Sequence, residues 1–85
     1  MSADQMLARA RCVISERRQA YGDPKTAMAA IAARWSITLG RPVTPAQVIL
    51  CMIDLKVARL AHDADYLDGA VDVIGYAALL PEVIQ

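Results

Sequence analysis

The stretch Cys51–Leu80, CMIDLKVARLAHDADYLDGAVDVIGYAALL, decides the fold. It reads as two apolar helices joined by the polar turn Asp63-Ala64-Asp65. Cations ride on the first arm (Lys56, Arg59) and carboxylates on the second (Asp68, Asp72). Folded back as an antiparallel hairpin, Lys56 faces Asp72 and Arg59 faces Asp68 in one register to within a residue. Met52 with Tyr76 and His62 with Tyr66 continue that register in the two directions. The pattern predicts a helical hairpin with a charged seam inside an otherwise apolar pair. The seam has two readings. It is a structural ladder, since buried charges are normally paired, or it borders a ligand site.

Upstream of the hairpin, the punctuation predicts two more helices. Ser2 followed by Gln5 is a capping-box pattern that opens a helix over 3–21. Its stripe is Met6, Ala10, Val13 and Arg17, with Leu7 and Ile14 beside it. Arg9, Arg11, Glu16 and Arg18 make its polar face, and Arg17 with Arg18, next to Glu16, reads either as a solvated run or as an anion-binding cluster. Tyr21-Gly22-Asp23-Pro24 is the clearest break, with a glycine suited to a left-handed cap, an N-cap aspartate and a first-turn proline. A second helix follows over 24–39, with Met28, Ile31, Trp35 and Leu39 as its buried stripe. Trp35 reads first as a core ring and second as a stacking surface for a base.

Gly40-Arg41-Pro42-Val43 stops that helix, and Thr44-Pro45-Ala46-Gln47 starts the third, over 45–62. The third helix is apolar nearly all round, which predicts burial on most of its surface. The fourth runs over 66–80 and stops at Pro81. Gly69 and Gly75 lower its helix propensity by about 1 kcal/mol each, which points to close approach by another backbone or a ligand. No segment alternates with period two. The expected fold is all-α: a single four-helix, up-down domain over 1–85 ending in an antiparallel hairpin.

Composition narrows the function classes. In 85 residues, 56% are hydrophobic, more than so short a chain hides by itself, so a homodimer or higher homo-oligomer through the third and fourth helices is expected. Nine basic and nine acidic residues cancel, which argues against nucleic acid or an anionic membrane as partner. Nothing approaches the roughly 18 uninterrupted apolar residues of a membrane span. Cys12 and Cys51 lie in apolar helical patterns without a CxxC motif or a secretory leader, and read as buried thiols in a reducing compartment.

Chemistry-bearing sets are few. One histidine, His62, and two separated cysteines fall short of a zinc site, and no nucleophile elbow or phosphate-cradling glycine loop is present. Oxygen chemistry remains. Asp68 and Asp72 lie one helical turn apart, where they hold either magnesium or the facing cations. Lys56 and Arg59 are candidates to contact phosphate, and Tyr21, Trp35 and Tyr76 to stack on a base.

Several of these residues carry a resemblance. Arg18-x-x-Tyr21-Gly22-Asp23-Pro24, Ile31-Ala32-x-x-Trp35, Leu39-Gly40, Val48 with Met52, Leu55-Lys56-x-Ala58-Arg59 and Asp68-x-x-x-Asp72-x-x-Gly75-Tyr76-Ala77 resemble a family of small phage and prophage proteins of unknown function. The resemblance covers about Ile14 to Leu80 and implies a mobile-element origin; with neither leader nor membrane span read in the sequence, the cytoplasm of a bacterium or phage-infected cell is the expected location. More distantly, the layout is similar to the MazG-like all-α nucleoside triphosphate pyrophosphohydrolases, which bind magnesium through ExxE and ExxD pairs. Here no ExxE is present and the late pair is DxxxD. The expectation is a phage-derived accessory protein that binds a nucleotide or phosphorylated small molecule, as a degenerate relative of those enzymes. Its ligand residues are Arg18, Tyr21, Asp23, Lys56, Arg59 and Tyr76, with Asp68 and Asp72 for a metal. The alternative is an interaction module that binds and inhibits a host defence protein.

Overall fold

Three of the four helices begin at caps written into the sequence. In the computed structural model, which describes residues 1–84, α1 spans Ala3–Tyr21, α2 Pro24–Leu39, α3 Pro45–His62 and α4 Leu67–Val83. Both capping boxes close. Ser2 Oγ accepts from the Gln5 amide at 3.2 Å while Gln5 Oε1 accepts from the Ser2 amide at 2.8 Å, and Thr44 and Gln47 repeat the exchange at 3.1 and 2.9 Å. Asp23 caps α2 by accepting from the Lys25 amide at 3.3 Å, and Pro24 takes the position where a missing N–H does no harm. Gly22 between α1 and α2 has φ +83° and ψ −158°, a conformation open only to glycine.

Helix α4 departs from expectation at its end. Pro81 lies inside it, and the helix continues to Val83. A proline removes one intrahelical bond, to the carbonyl four residues earlier. Ala77, which bears that carbonyl, is exposed, so water can take the vacated acceptor. Asp63 accepts from the Asp65 amide at 3.0 Å in the turn before α4, and Tyr66 stands as its N-cap.

The helices pack as an open bundle. α3 and α4 form the closest pair, as the hairpin reading requires, while the backbones of α1 and α3 stay apart. The buried apolar side chains are small or β-branched: Ala10, Ala32, Val48, Ile49, Val71 and Val83. The radius of gyration is 13.5 Å, against about 12 Å for a compact chain of this length. This openness leaves much apolar surface uncovered.

Three expectations about burial therefore fail within one chain. α3 buries Val48 and Ile49 completely but exposes Leu50, Leu55 and Val57. Leu39, the last residue of α2, is exposed. Cys12 and Cys51 are both free and exposed, because each sits on the face of its helix turned away from the core. No helix among the described residues is long and apolar enough to cross a membrane.

Candidate functional site

Arg17 is the one charged residue on the apolar stripe of α1, and that position turns it toward α4. There Arg17 Nη2 donates to Asp72 Oδ1 at 3.0 Å. Lys56 Nζ, from α3, lies 3.0 Å from the other oxygen of the same carboxylate. The Lys56–Asp72 rung of the seam thus forms, with both side chains only 13% exposed. It is joined by a third partner from a distant helix. Arg17 also lies over the Tyr76 ring, 5.8 Å from its centroid, within cation–π range.

Arg18, the next residue, reaches the other way and pairs with Glu82 near the end of α4. The hydrogen bond to Glu82 raises the Arg18 guanidinium above its ordinary pKa. Desolvation opposes this, and the charges of Glu82 and then Asp23 reinforce it. Two adjacent arginines therefore grip α4 at carboxylates ten residues apart, about 15 Å along a helix. Between the grips, α1, α2 and α4 enclose a groove of about 520 Å³. Val13, Ile14, Met28, Ile31 and Leu79 supply its apolar surface, and Arg17, Arg18, Tyr21 and Tyr76 its polar atoms. Tyr21 is 77% exposed, so its ring lines the wall without a covering side chain.

The sequence-predicted site residues separate into three places. Arg18, Tyr21 and Tyr76 line the groove, and Lys56 is linked to it through Asp72 and Arg17. Asp23 is adjacent but engaged as the α2 cap, accepting from the Lys25 amide and from Thr26 Oγ1 at 3.5 Å. Arg59 lies elsewhere, in an open depression with His62 and Tyr66 at the hairpin turn. The expected Arg59–Asp68 rung does not form among the described residues. Each of these two charges instead sits at its favoured helix end, Asp68 in the first turn of α4 and Arg59 in the last turn of α3. Trp35 is half-buried and does not line the groove.

Asp68 and Asp72 fit magnesium poorly as they stand. Both oxygens of Asp72 are taken by cations, and Asp68 is exposed on the first turn. No group of three or more His, Cys, Asp or Glu side chains among the described residues is placed to hold an ion. The sequence marks Arg17 only as part of an anion-binding cluster with Arg18, not as a partner of Asp72, and does not mark Glu82 at all. Arg17 had a signal, as a lone charge on an apolar stripe. Glu82 had none, because Pro81 reads as the end of its helix.

Residues 5–84 match the family described as Domain of unknown function (DUF6378), and the chain belongs to that family. It is similar to the Gene 55 protein of Mycobacterium phage L5, with 38% identity over 69 residues, 80% of this chain and 44% of that protein. The chain thus spans less than half the length of this curated relative. No solved structure matches. The phage association read from the motifs holds at this level: a phage-associated helical protein of unknown function.

Proposed function

We propose that this member of the family binds a nucleotide or similar phosphorylated small molecule in the groove between α1, α2 and α4. The observation that carries the reading is the pairing of two arginines with two tyrosines around an apolar floor of matching size. A groove of about 520 Å³ falls in the usual range for small-ligand sites, which combine apolar walls with a few placed polar groups. The arginine forks suit phosphate oxygens. The Tyr21 and Tyr76 rings suit the face of a base, and stacking of this kind is worth about 1–3 kcal/mol per base. The proposal is for binding; no bond-breaking step is assigned to these residues.

A thermal-shift series against nucleoside mono-, di- and triphosphates, with and without magnesium, tests it. A ligand present at one hundred times its Kd stabilises the fold by about 2.7 kcal/mol, a plain rise in Tm. Absence of any shift at millimolar nucleotide would sink the reading.

The exposed apolar side chains Leu50 and Val57, two helical turns apart on one face of α3, support a second reading from another class. Under it the protein is an interaction module whose α3 face docks on a second copy or on a host protein. Substituting charged residues at Leu50 and Val57 would abolish such an association and leave nucleotide binding intact.

A further inference from the structure

The charges framing the groove are unevenly distributed. At one end Arg17 and Lys56, each at 3.0 Å, share the single carboxylate of Asp72, so this end holds one positive charge beyond balance. At the other end Arg18 is paired with Glu82, and the charge of Asp23 also acts on it, so no positive charge is left over. The groove has a cationic end beside Tyr76 and a neutral-to-anionic end beside Tyr21.

We infer that the groove is selective for singly phosphorylated nucleosides, with the phosphate against Arg17 and the base toward Tyr21. This rests on the nucleotide-binding reading and narrows it. A phosphate monoester brings a charge of about −1.5 to −2 at pH 7, of which the single excess positive charge at the Arg17 end offsets about one. A triphosphate brings two more charged groups, which would extend past the excess cation toward Glu82 and Asp23. Arg17 is also the member of the cluster that is free to turn. Its side chain is 44% exposed, and when it swings to phosphate Lys56 still neutralises Asp72, so no carboxylate is stranded. Binding on these terms asks nothing of a metal.

Calorimetric titration of the full chain tests the assignment. The ligands are the four ribonucleoside monophosphates, the matching triphosphates with and without magnesium, and the unphosphorylated nucleosides. At least one monophosphate is expected to bind about tenfold more tightly than its triphosphate, with no response to magnesium. Arg17→Gln is expected to weaken the monophosphate about tenfold while leaving the nucleoside unchanged. A thermal melt of that variant checks the fold, which keeps the Lys56–Asp72 pair. Tighter binding of the magnesium triphosphate would overturn the selectivity and leave the nucleotide reading intact. Equal weakening of nucleoside and monophosphate by Arg17→Gln would overturn the phosphate placement. No binding by any of these ligands at millimolar concentration would remove both.

Discussion

Arg17 and Arg18 are neighbours on α1, yet they close on carboxylates at opposite ends of the same groove, Asp72 and Glu82. The splay brackets Tyr76 and Leu79, so α1 is held at two points with the groove between them. The two grips differ in kind. Asp72 is largely withdrawn from water and doubly paired, whereas Arg18 and Glu82 are both about two-fifths exposed.

That difference fixes the first prediction. Asp72→Ala strands Lys56 in a mostly dry position and is expected to destabilise the fold by about 2–3 kcal/mol, below the usual range for fully buried pairs. Lys56→Met leaves Arg17 on Asp72 and keeps the packed stem, so a loss of about 1 kcal/mol or less is expected. Urea melts of the two variants measure the ordering. A larger effect from Lys56→Met would contradict the role given to Asp72.

The Arg18–Glu82 pair should behave as a surface interaction. Its removal by Glu82→Gln is expected to lower Tm slightly at low salt and not at all near 1 M salt, where the screening length falls to about 3 Å. With its folded pKa raised, Arg18 contributes stability below its unfolded pKa and loses it only as pH rises through the folded value. Both lie beyond the ordinary alkaline range, so Arg18 should add no slope to stability between about pH 6 and pH 9. A Glu82→Gln effect that persists in high salt would mean the pair is drier than its exposure indicates.

The two glycines of α4 make a contrasting pair. A Cβ at Gly69 would lie 2.5 Å from the Tyr66 ring, whereas one at Gly75 would meet Ile14 at an ordinary 3.8 Å. Gly75→Ala should therefore stabilise by about 0.5–1 kcal/mol through helix propensity. Gly69→Ala should destabilise by about 1–2 kcal/mol through overpacking, and Tyr66→Ala in the same chain should relieve it. Thermal melts of the three variants decide. An unshifted Gly69→Ala would mean that the Tyr66 ring has somewhere else to go.

Apolar residues left on the outside of α3 predict association. Sedimentation at micromolar concentration should show a species heavier than the 9.2 kDa chain. Leu50→Lys with Val57→Lys should return it to monomer. A wild-type monomer would remove the association and leave the groove untouched.

Much of this fold was legible because its signals are local. Ser2 with Gln5, Thr44 with Gln47 and Asp23 with Pro24 each mark a helix start that forms as read. The Lys56–Asp72 pair was legible too, since a short turn fixes the register of an antiparallel hairpin. Arg59 and Asp68 obey the same register but are nearer the turn, where each helix end satisfies its own charge. The docking of α1 on α4 was not legible. It joins residues 55 apart in sequence, and no periodicity within either helix states where the two will cross. The groove inherits that ambiguity, because its volume is what the crossing leaves unfilled. Exposure of Cys12 and Cys51 has the same origin, since an apolar neighbourhood in sequence does not say which face an open bundle covers.

One consequence follows from Ala10 being the only buried residue of α1. Little apolar area secures that helix, and Lys56 keeps Asp72 neutralised in its absence. The first segment is thus poised to lift away as a cooperative unit while the α3–α4 hairpin persists. Amide hydrogen exchange would then run fastest in Ala3–Tyr21 and slowest around Val48, Ile49 and Val71. A ligand bridging Arg17 and Tyr76 would slow exchange in the N-terminal helix most, coupling occupancy of the groove to the order of a whole helix.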